Sequence, residues 1–89
     1  MVEAEIEIIN RLGLHARAAA KLVHMASAFD SEVLLRSDNQ EVDAKSILGV
    51  LLLAAAQGTR IWIRCDGLDE DEALCNIREL IGDRFGEKE

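Results

Sequence analysis

The sequence has few of the residues that mark membrane, nucleic-acid-binding or disulfide-rich proteins. It has no proline and no tyrosine, and aromatic residues make up only 3% of it, so a base-stacking surface is not expected. No apolar run approaches the roughly 18 residues that a bilayer span requires, and the acidic start, MVEAEIEII, does not resemble a signal or transit peptide. The formal net charge of −7 disfavours nucleic acids and anionic membranes as partners. We therefore expect a cytoplasmic protein that inserts into no membrane.

The cysteine content is also low. Cys65 and Cys75 show no CxxC spacing and belong to no cluster of metal-ligating residues. A pair of this kind rarely forms a disulfide in reducing cytosol. We interpret both cysteines as small apolar core residues, and we expect neither a metal nor another cofactor.

What the sequence does contain is enough for one folded domain, residues 1–89. Hydrophobic residues make up 49% of it, which is ample for a single core. Period-2 alternation predicts strands over residues 2–8 and 59–65, and helical spacing predicts a first helix over residues 16–28. The predicted order is strand, helix, strand, strand, helix, strand, helix, with the other elements at residues 32–37, 40–42, 46–55 and after 69. This order favours an α+β two-layer sandwich with its helices on one face of a mainly antiparallel sheet.

Several residues predict where these elements end. Ser46 is suited to the N-cap of the second helix, and Gly58 is suited to its C-terminal end. Asp69 and Glu72 have the spacing of an N-cap and its N3 partner at the start of the last helix. Residues 86–89 are expected to form a frayed tail.

One cluster does not fit a simple division into core and surface. Gly13, His15 and Arg17 lie at the start of the first predicted helix. The first turn of a helix offers free backbone N–H groups and a partial positive charge, both of which bind anions and above all phosphate. A cation such as Arg17 is unfavourable there unless an anion is bound. The pattern indicates phosphate chemistry at His15, although a polar helix start and a solvated arginine would explain the same residues.

A resemblance to a known family strengthens that indication. Residues 10–17 (NRLGLHAR) resemble the active-site signature of the HPr family, the histidine phosphocarriers of the bacterial phosphoenolpyruvate:phosphotransferase system. Residues 43–50 (DAKSILGV) resemble the second signature of that family, around its regulatory serine. The resemblance extends over nearly the whole chain. It implies the HPr fold, an open-faced sandwich of a four-stranded antiparallel sheet with three helices on one face.

The resemblance also implies a role for each residue of the cluster. His15 would accept a phosphoryl group from enzyme I on its Nδ1 and pass it to a IIA-type acceptor. The guanidinium of Arg17 would contact the phosphoryl oxygens, and the backbone N–H groups of Ala16 and Arg17 would help to hold them. Such a protein is a monomeric carrier and not an enzyme that acts alone.

Two further features concern regulation and partners. The resemblance implies that an HPr kinase/phosphorylase could phosphorylate Ser46, although its suitability as an N-cap explains the residue equally well. The second helix has more apolar residues than one buried stripe requires. The resemblance implies that some of them form, together with two alanines, a surface that docks enzyme I and the acceptors: Ala16, Ala20, Ile47, Leu48 and Leu51.

The sequence departs from the family pattern at one position and has a distinctive charge distribution. Ala18 stands where the family usually has proline, which leads us to expect a slower carrier with an intact first helix. We expect four basic residues near His15: Arg11, Arg17, Lys21 and Lys45. Docking should therefore weaken as the salt concentration rises.

Two other functions remain open at this point. The chain could be a regulatory binding module of the same fold, including a homologue in a nitrogen-related branch, which acts by protein contacts through Ser46 or the apolar surface. It could instead be an unrelated α+β domain that binds a metabolite phosphate reversibly. The presence of both His15 and Arg17 favours the carrier over a purely binding module.

Overall fold

The computed structural model describes residues 1–89 and contains the seven elements in the predicted order. A short 3₁₀ turn at Arg84–Gly86, which was not predicted, follows the last helix. The elements are β1 (Val2–Glu7), α1 (Ala16–Ser27), β2 (Glu32–Ser37), β3 (Gln40–Asp43), α2 (Ile47–Leu53), β4 (Arg60–Asp66) and α3 (Glu70–Gly82).

The four strands form one antiparallel sheet in the order β1-β4-β2-β3. In the middle of the sheet, Ile63 of β4 lies opposite Ala4 of β1 and Leu35 of β2. The three helices pack on one face, and the other face is open. The predicted fold class is therefore confirmed. None of the helices is long and apolar enough to cross a bilayer.

Alternation along β4 separates the two faces of the sheet. Ile61, Ile63 and Cys65 are fully buried beneath the helices, whereas Trp62 lies on the open face, with the guanidinium carbon of Arg36 5.6 Å from its ring centroid. Burial, with smaller contributions from two nearby carboxylates, raises the pKa of the Cys65 thiol to about 11. The expected core position is confirmed for Cys65.

Three local predictions, one of burial and two of helix ends, are wrong. Cys75, which was expected in the core, is exposed on α3. Helix α2 ends at Leu53, and its C-cap Ala54 adopts the left-handed conformation with φ 52°, so Gly58 lies too far along the chain to end the helix. Asp69 makes no side-chain capping bond to α3. Its carboxylate instead accepts hydrogen bonds from the backbone N–H groups of Asp30 and Ser31, both at 2.9 Å, and from the Ser31 hydroxyl.

The prediction of a frayed C-terminus is also wrong. Arg84 and Phe85 both have φ of 55°, in the left-handed region, and they turn the chain back after α3. Phe85 is fully buried in the core, and the N–H of Glu87 donates to the carbonyl of Arg84 at 2.9 Å. We call residues 84–89 the C-terminal tail. Burial of Phe85, together with the hydrogen bonds and the ion pair of the tail, offsets the entropy that ordering these residues costs.

Candidate functional site

His15 is the N-cap of α1. Its backbone is extended, with φ −79° and ψ 179°, and its carbonyl accepts the first hydrogen bond of the helix, from Ala19 N–H at 2.8 Å. Its Nδ1 accepts a long hydrogen bond, 3.3 Å, from the N–H of Arg17. The ring nitrogen Nδ1 therefore points at the free N–H groups of the first helical turn, where a partial positive charge favours anions.

The loop before His15 is fastened to the segment that follows α2. Gly13 has φ +67°, and a Cβ added there would lie 2.5 Å from the carbonyl oxygen of Ala55. The neighbouring N–H of Leu14 donates to that same oxygen at 2.8 Å. Only glycine permits this close approach in a left-handed conformation. The contact places the start of α1 beside the end of α2.

The C-terminal tail brings a carboxylate to the other side of the imidazole. Oε2 of Glu87 makes a short hydrogen bond with Nε2 of His15, and Oε1 of Glu87 accepts from Nδ2 of Asn10 at 3.0 Å. The Asn10 side chain is fully buried and also donates to the carbonyl of Gly13 at 2.8 Å. The imidazole and the carboxylate are mostly covered, with 23% and 13% of their side-chain surfaces exposed.

The charge of Glu87 is stabilised by these partners. Partial burial alone would raise the pKa of its carboxyl group, but the hydrogen bonds from His15 and Asn10, together with the positive charge of Arg17, hold that pKa below its usual value. Glu87 is therefore an ionised hydrogen-bond acceptor at neutral pH.

Arg17 is exposed and forms no ion pair within the chain. Its side chain lines a cleft of about 440 Å³ together with Lys21 and residues of the C-terminal tail. The ammonium group of Lys21 donates to the carbonyl of Phe85 at 2.6 Å. The guanidinium of Arg17 therefore remains available for an anion at the start of α1.

The predicted basic surroundings of His15 are wrong in two respects. Lys45 donates to the carbonyl of Phe29 at 2.7 Å, just beyond the C-terminal end of α1 and so at the opposite end of that helix from His15. Arg11 pairs with the carboxylate of Glu89, 2.6 Å away. Because the tail also brings Glu87 to the ring, the charge around His15 is mixed and not simply basic.

The structure places the other predicted residues as follows. The Ser46 hydroxyl accepts from the N–H of Gly49 at 3.2 Å, which confirms the predicted N-cap of α2. Ala18 is fully buried, and its N–H donates no hydrogen bond within the chain. His24 is exposed in the last turn of α1.

Helix α2 presents a broad apolar surface. Its Val50 and Leu53 are buried. Four other side chains are exposed: Ile47 at 42%, Leu48 at 68%, Leu51 at 37% and Leu52 at 66%. Ala16 and Ala20 of α1 are exposed as well. The residues predicted to dock partners are thus accessible, and Leu52 extends the same exposed surface.

Sequence reasoning missed Asn10 and Glu87 as parts of this site. Asn10 belongs to the first signature. Because a buried side-chain amide is nearly always hydrogen-bonded, its place next to His15 could have suggested a supporting role. Glu87 carries no comparable signal, because it lies 72 positions from His15 along the chain and follows no periodic pattern.

The fold and site together define a small α+β domain that presents an imidazole nitrogen, free N–H donors and an unpaired guanidinium at the start of a helix. Comparisons with known proteins agree with this class. The family model described as "PTS HPr component phosphorylation site" matches residues 2–83. The chain belongs to the HPr family of the phosphotransferase system.

The relatives cover the whole length of the chain. It is 53% identical to the phosphocarrier protein HPr of Xylella fastidiosa strain Temecula1 over 98% of both chains. It is 48% identical to the phosphocarrier protein HPr of Cupriavidus necator over 100% of both. Among solved structures, HPr from Thermoanaerobacter tengcongensis superposes over 100% of both chains with a TM-score of 0.97 at 44% identity.

Proposed function

We propose that the chain carries phosphoryl groups on His15. Nδ1 accepts the group from phosphorylated enzyme I and delivers it to a IIA-type acceptor. The observation that carries this proposal is the direction of Nδ1, which points at the N–H of Arg17 in the first turn of α1. A phosphoryl group on that nitrogen would meet backbone donors at the positive end of the helix.

The groups that would hold the phosphoryl oxygens are free or weakly engaged. The N–H of Ala16 donates no hydrogen bond in the chain, and the N–H of Arg17 makes only the long bond to Nδ1. The unpaired guanidinium of Arg17 would offset the charge of the arriving group. These donors need little rearrangement, which suits a carrier that must take up and release the same group.

The partner surface proposed is the exposed apolar face described above, formed by Ala16, Ala20, Ile47, Leu48 and Leu51. A continuous apolar surface bordered by charge is typical of sites where proteins dock. This surface lies beside His15 because the Leu14–Ala55 hydrogen bond joins the loop before α1 to the segment after α2. We expect binding to enzyme I to weaken as the salt concentration rises, since Arg17 and Lys21 lie in the neighbouring cleft.

Ser46 is the proposed site of regulation by an HPr kinase/phosphorylase. Its hydroxyl caps α2 next to the exposed Ile47 and Leu48. A phosphate there would place negative charge at the edge of the docking surface and disfavour acidic partners. The same fold could serve the sugar-uptake branch or a nitrogen-related branch, and in either case the proposed carrier is monomeric and cytoplasmic.

The decisive experiment is intact mass spectrometry after incubation with enzyme I, magnesium and phosphoenolpyruvate. We expect a single acid-labile phosphoryl adduct on the wild-type chain and none on His15→Ala. His24→Ala is the matched control, because His24 is the other of the two histidines and should leave the adduct unchanged.

An adduct that persists in His15→Ala would assign the chemistry to another residue. The absence of an adduct on the wild type, with an enzyme I verified on its own HPr, would favour the regulatory binding module. Ser46 would then be tested as the site through which that module acts.

A further inference from the structure

The C-terminal tail supplies His15 with a partner on the nitrogen that the proposed transfer does not use. The Glu87 carboxylate is held at both oxygens, one by His15 Nε2 and the other by the buried amide of Asn10. This double attachment of the carboxylate points to a role for Glu87 in addition to holding the tail against the domain.

The two partners of the imidazole together assign one tautomer. An ionised carboxylate can only accept hydrogen bonds, so the Nε2 of His15 that faces Glu87 must carry a hydrogen. The N–H of Arg17 can only donate, so Nδ1 must present its lone pair. Both contacts therefore select the form in which Nδ1 is the nucleophile.

We propose that Glu87 is a positioning residue for phosphoryl transfer. Its carboxylate fixes His15 in the Nε2–H tautomer and stabilises the positive charge that the ring gains when Nδ1 is phosphorylated. This inference rests on the proposed function of His15. The role corresponds to that of a carboxylate that orients a functional imidazole from behind and stabilises its charged form. Glu87 itself touches neither the phosphoryl group nor its donor.

The transfer step is balanced without a proton being gained or lost at the ring. The lone pair of Nδ1 forms the new bond to phosphorus, while the bond between phosphorus and the phosphohistidine nitrogen of enzyme I breaks. The electron pair of the broken bond stays with that nitrogen. Nε2 keeps its hydrogen throughout and continues to donate it to Glu87.

The tail is built to hold Glu87 at this point. Phe85 is buried in the core two residues before it, and Lys21 of α1 binds the carbonyl of Phe85 at 2.6 Å. On the other side, Arg11 pairs with the side chain of Glu89. Attachments before and after Glu87 limit the motion of its carboxylate, so the hydrogen bond costs less ordering entropy when it forms.

The test measures the tautomer of the His15 ring by ¹⁵N NMR and the rate of phosphorylation by enzyme I. In Glu87→Ala we expect the Nδ1–H tautomer to become populated at neutral pH and the rate to fall roughly 10–100-fold, the range typical of hydrogen-bond partners that orient metal-binding histidines. In Glu87→Gln the amide oxygen can keep the contact with Asn10, which turns the NH2 group toward Nε2. Because that group can only donate, this variant should populate the Nδ1–H tautomer at least as strongly. Asp83→Ala is the matched control, since it removes an exposed acidic side chain next to the tail that neither touches His15 nor helps to hold Glu87.

The inference is overturned if Glu87→Ala and Glu87→Gln keep the wild-type tautomer and rate. It is also overturned if Asp83→Ala changes both as much as they do, because the changes would then not depend on the carboxylate at the ring. The ring spectrum requires no enzyme I. A wild-type chain that accepts no phosphoryl group would therefore refute the proposed function, while the tautomer comparison would still decide whether Glu87 orients the ring.

Discussion

The carbonyl oxygen of Ala55 occupies the space where a side chain on Gly13 would be. A Cβ at Gly13 would lie 2.5 Å from that oxygen and 2.9 Å from the Cα of Ala56. Both neighbours are backbone atoms, so the contact could be relieved only by moving the loop or the segment after α2. The position of His15 thus depends on a glycine two residues before it.

Gly13→Ala should therefore be strongly destabilising. Gly58 offers a matched control, since it also has a positive φ, +89°, but a Cβ there would have no atom within 4 Å. Gly58→Ala should cost about 1–2 kcal/mol for the left-handed conformation alone. We expect Gly13→Ala to cost clearly more in urea unfolding. Equal losses in the two variants would show that the loop moves aside freely.

Phe85→Ala should unfold the tail and weaken the whole domain. Phe85 is fully buried, and removing such a side chain typically costs about 3–5 kcal/mol. Leu68→Ala is the comparison, because Leu68 is fully exposed and should change stability by no more than about 0.5 kcal/mol. The free energy of unfolding in urea gives both values. A small loss in Phe85→Ala would mean that the tail is not anchored as described.

The attachment of Glu87 should be sensitive to acid. Its pKa is lower in the folded chain than its ordinary value of 4.5, so docking of the tail is stabilised above about pH 4.5 and loses this stabilisation as the pH falls through the folded-state pKa. The ¹³C shift of the Glu87 carboxyl group, followed against pH, reports this directly.

In His15→Ala the midpoint of that Glu87 titration should rise, because one of the hydrogen bonds that offset burial is gone. His24→Ala should leave it unchanged. A midpoint that does not move in His15→Ala would contradict the hydrogen bond between the two side chains.

Ala18→Pro should be tolerated and modestly stabilising. The N–H of Ala18 donates no hydrogen bond, and proline at a compatible position adds about 0.4–1 kcal/mol by restricting the unfolded chain. Ala19→Pro is the control one residue along, where the N–H donates to the His15 carbonyl at 2.8 Å. That change should cost about 3 kcal/mol or more. Thermal unfolding separates the two, and a destabilised Ala18→Pro would show that the buried site lacks room for the ring.

Ser46→Ala should destabilise α2 through loss of its N-cap. The hydroxyl accepts the N–H of Gly49, and replacing such a cap by alanine typically costs about 0.5–2 kcal/mol. Ser46→Asp retains an acceptor at the same place and should restore most of the lost stability. If aspartate is as destabilising as alanine in urea unfolding, the cap contributes little and Ser46 is retained for another reason.

Local pattern predicted most of the architecture. The alternation of β1 and β4 and the helical spacing of α1 are properties of neighbouring residues, so their faces could be assigned before the fold was known. The end of α2 was mispredicted because Ala54 takes the left-handed conformation usually left to glycine. The surrounding contacts override this local preference, since Ala55 must reach the loop that carries His15.

The predicted site was correct in its local part and incomplete in its long-range part. His15, Ala16 and Arg17 are adjacent in sequence, so one helix start brings them together. Asp69 was assigned to its own helix, yet it binds Asp30 and Ser31, because a carboxylate takes the donors that the fold brings closest. Lys45 was placed near His15 by charge alone, but its ammonium group lies at the other end of α1.

By itself, the sequence determined the order of the strands and helices and the histidine at the start of α1, because these follow from periodicity and helix-end chemistry over a few residues. Only the tertiary structure decided that the chain would return after α3, bury Phe85 and place Glu87 against His15. That contact joins positions far apart in the chain and depends on core packing and on two left-handed residues. No local preference in the sequence encodes it.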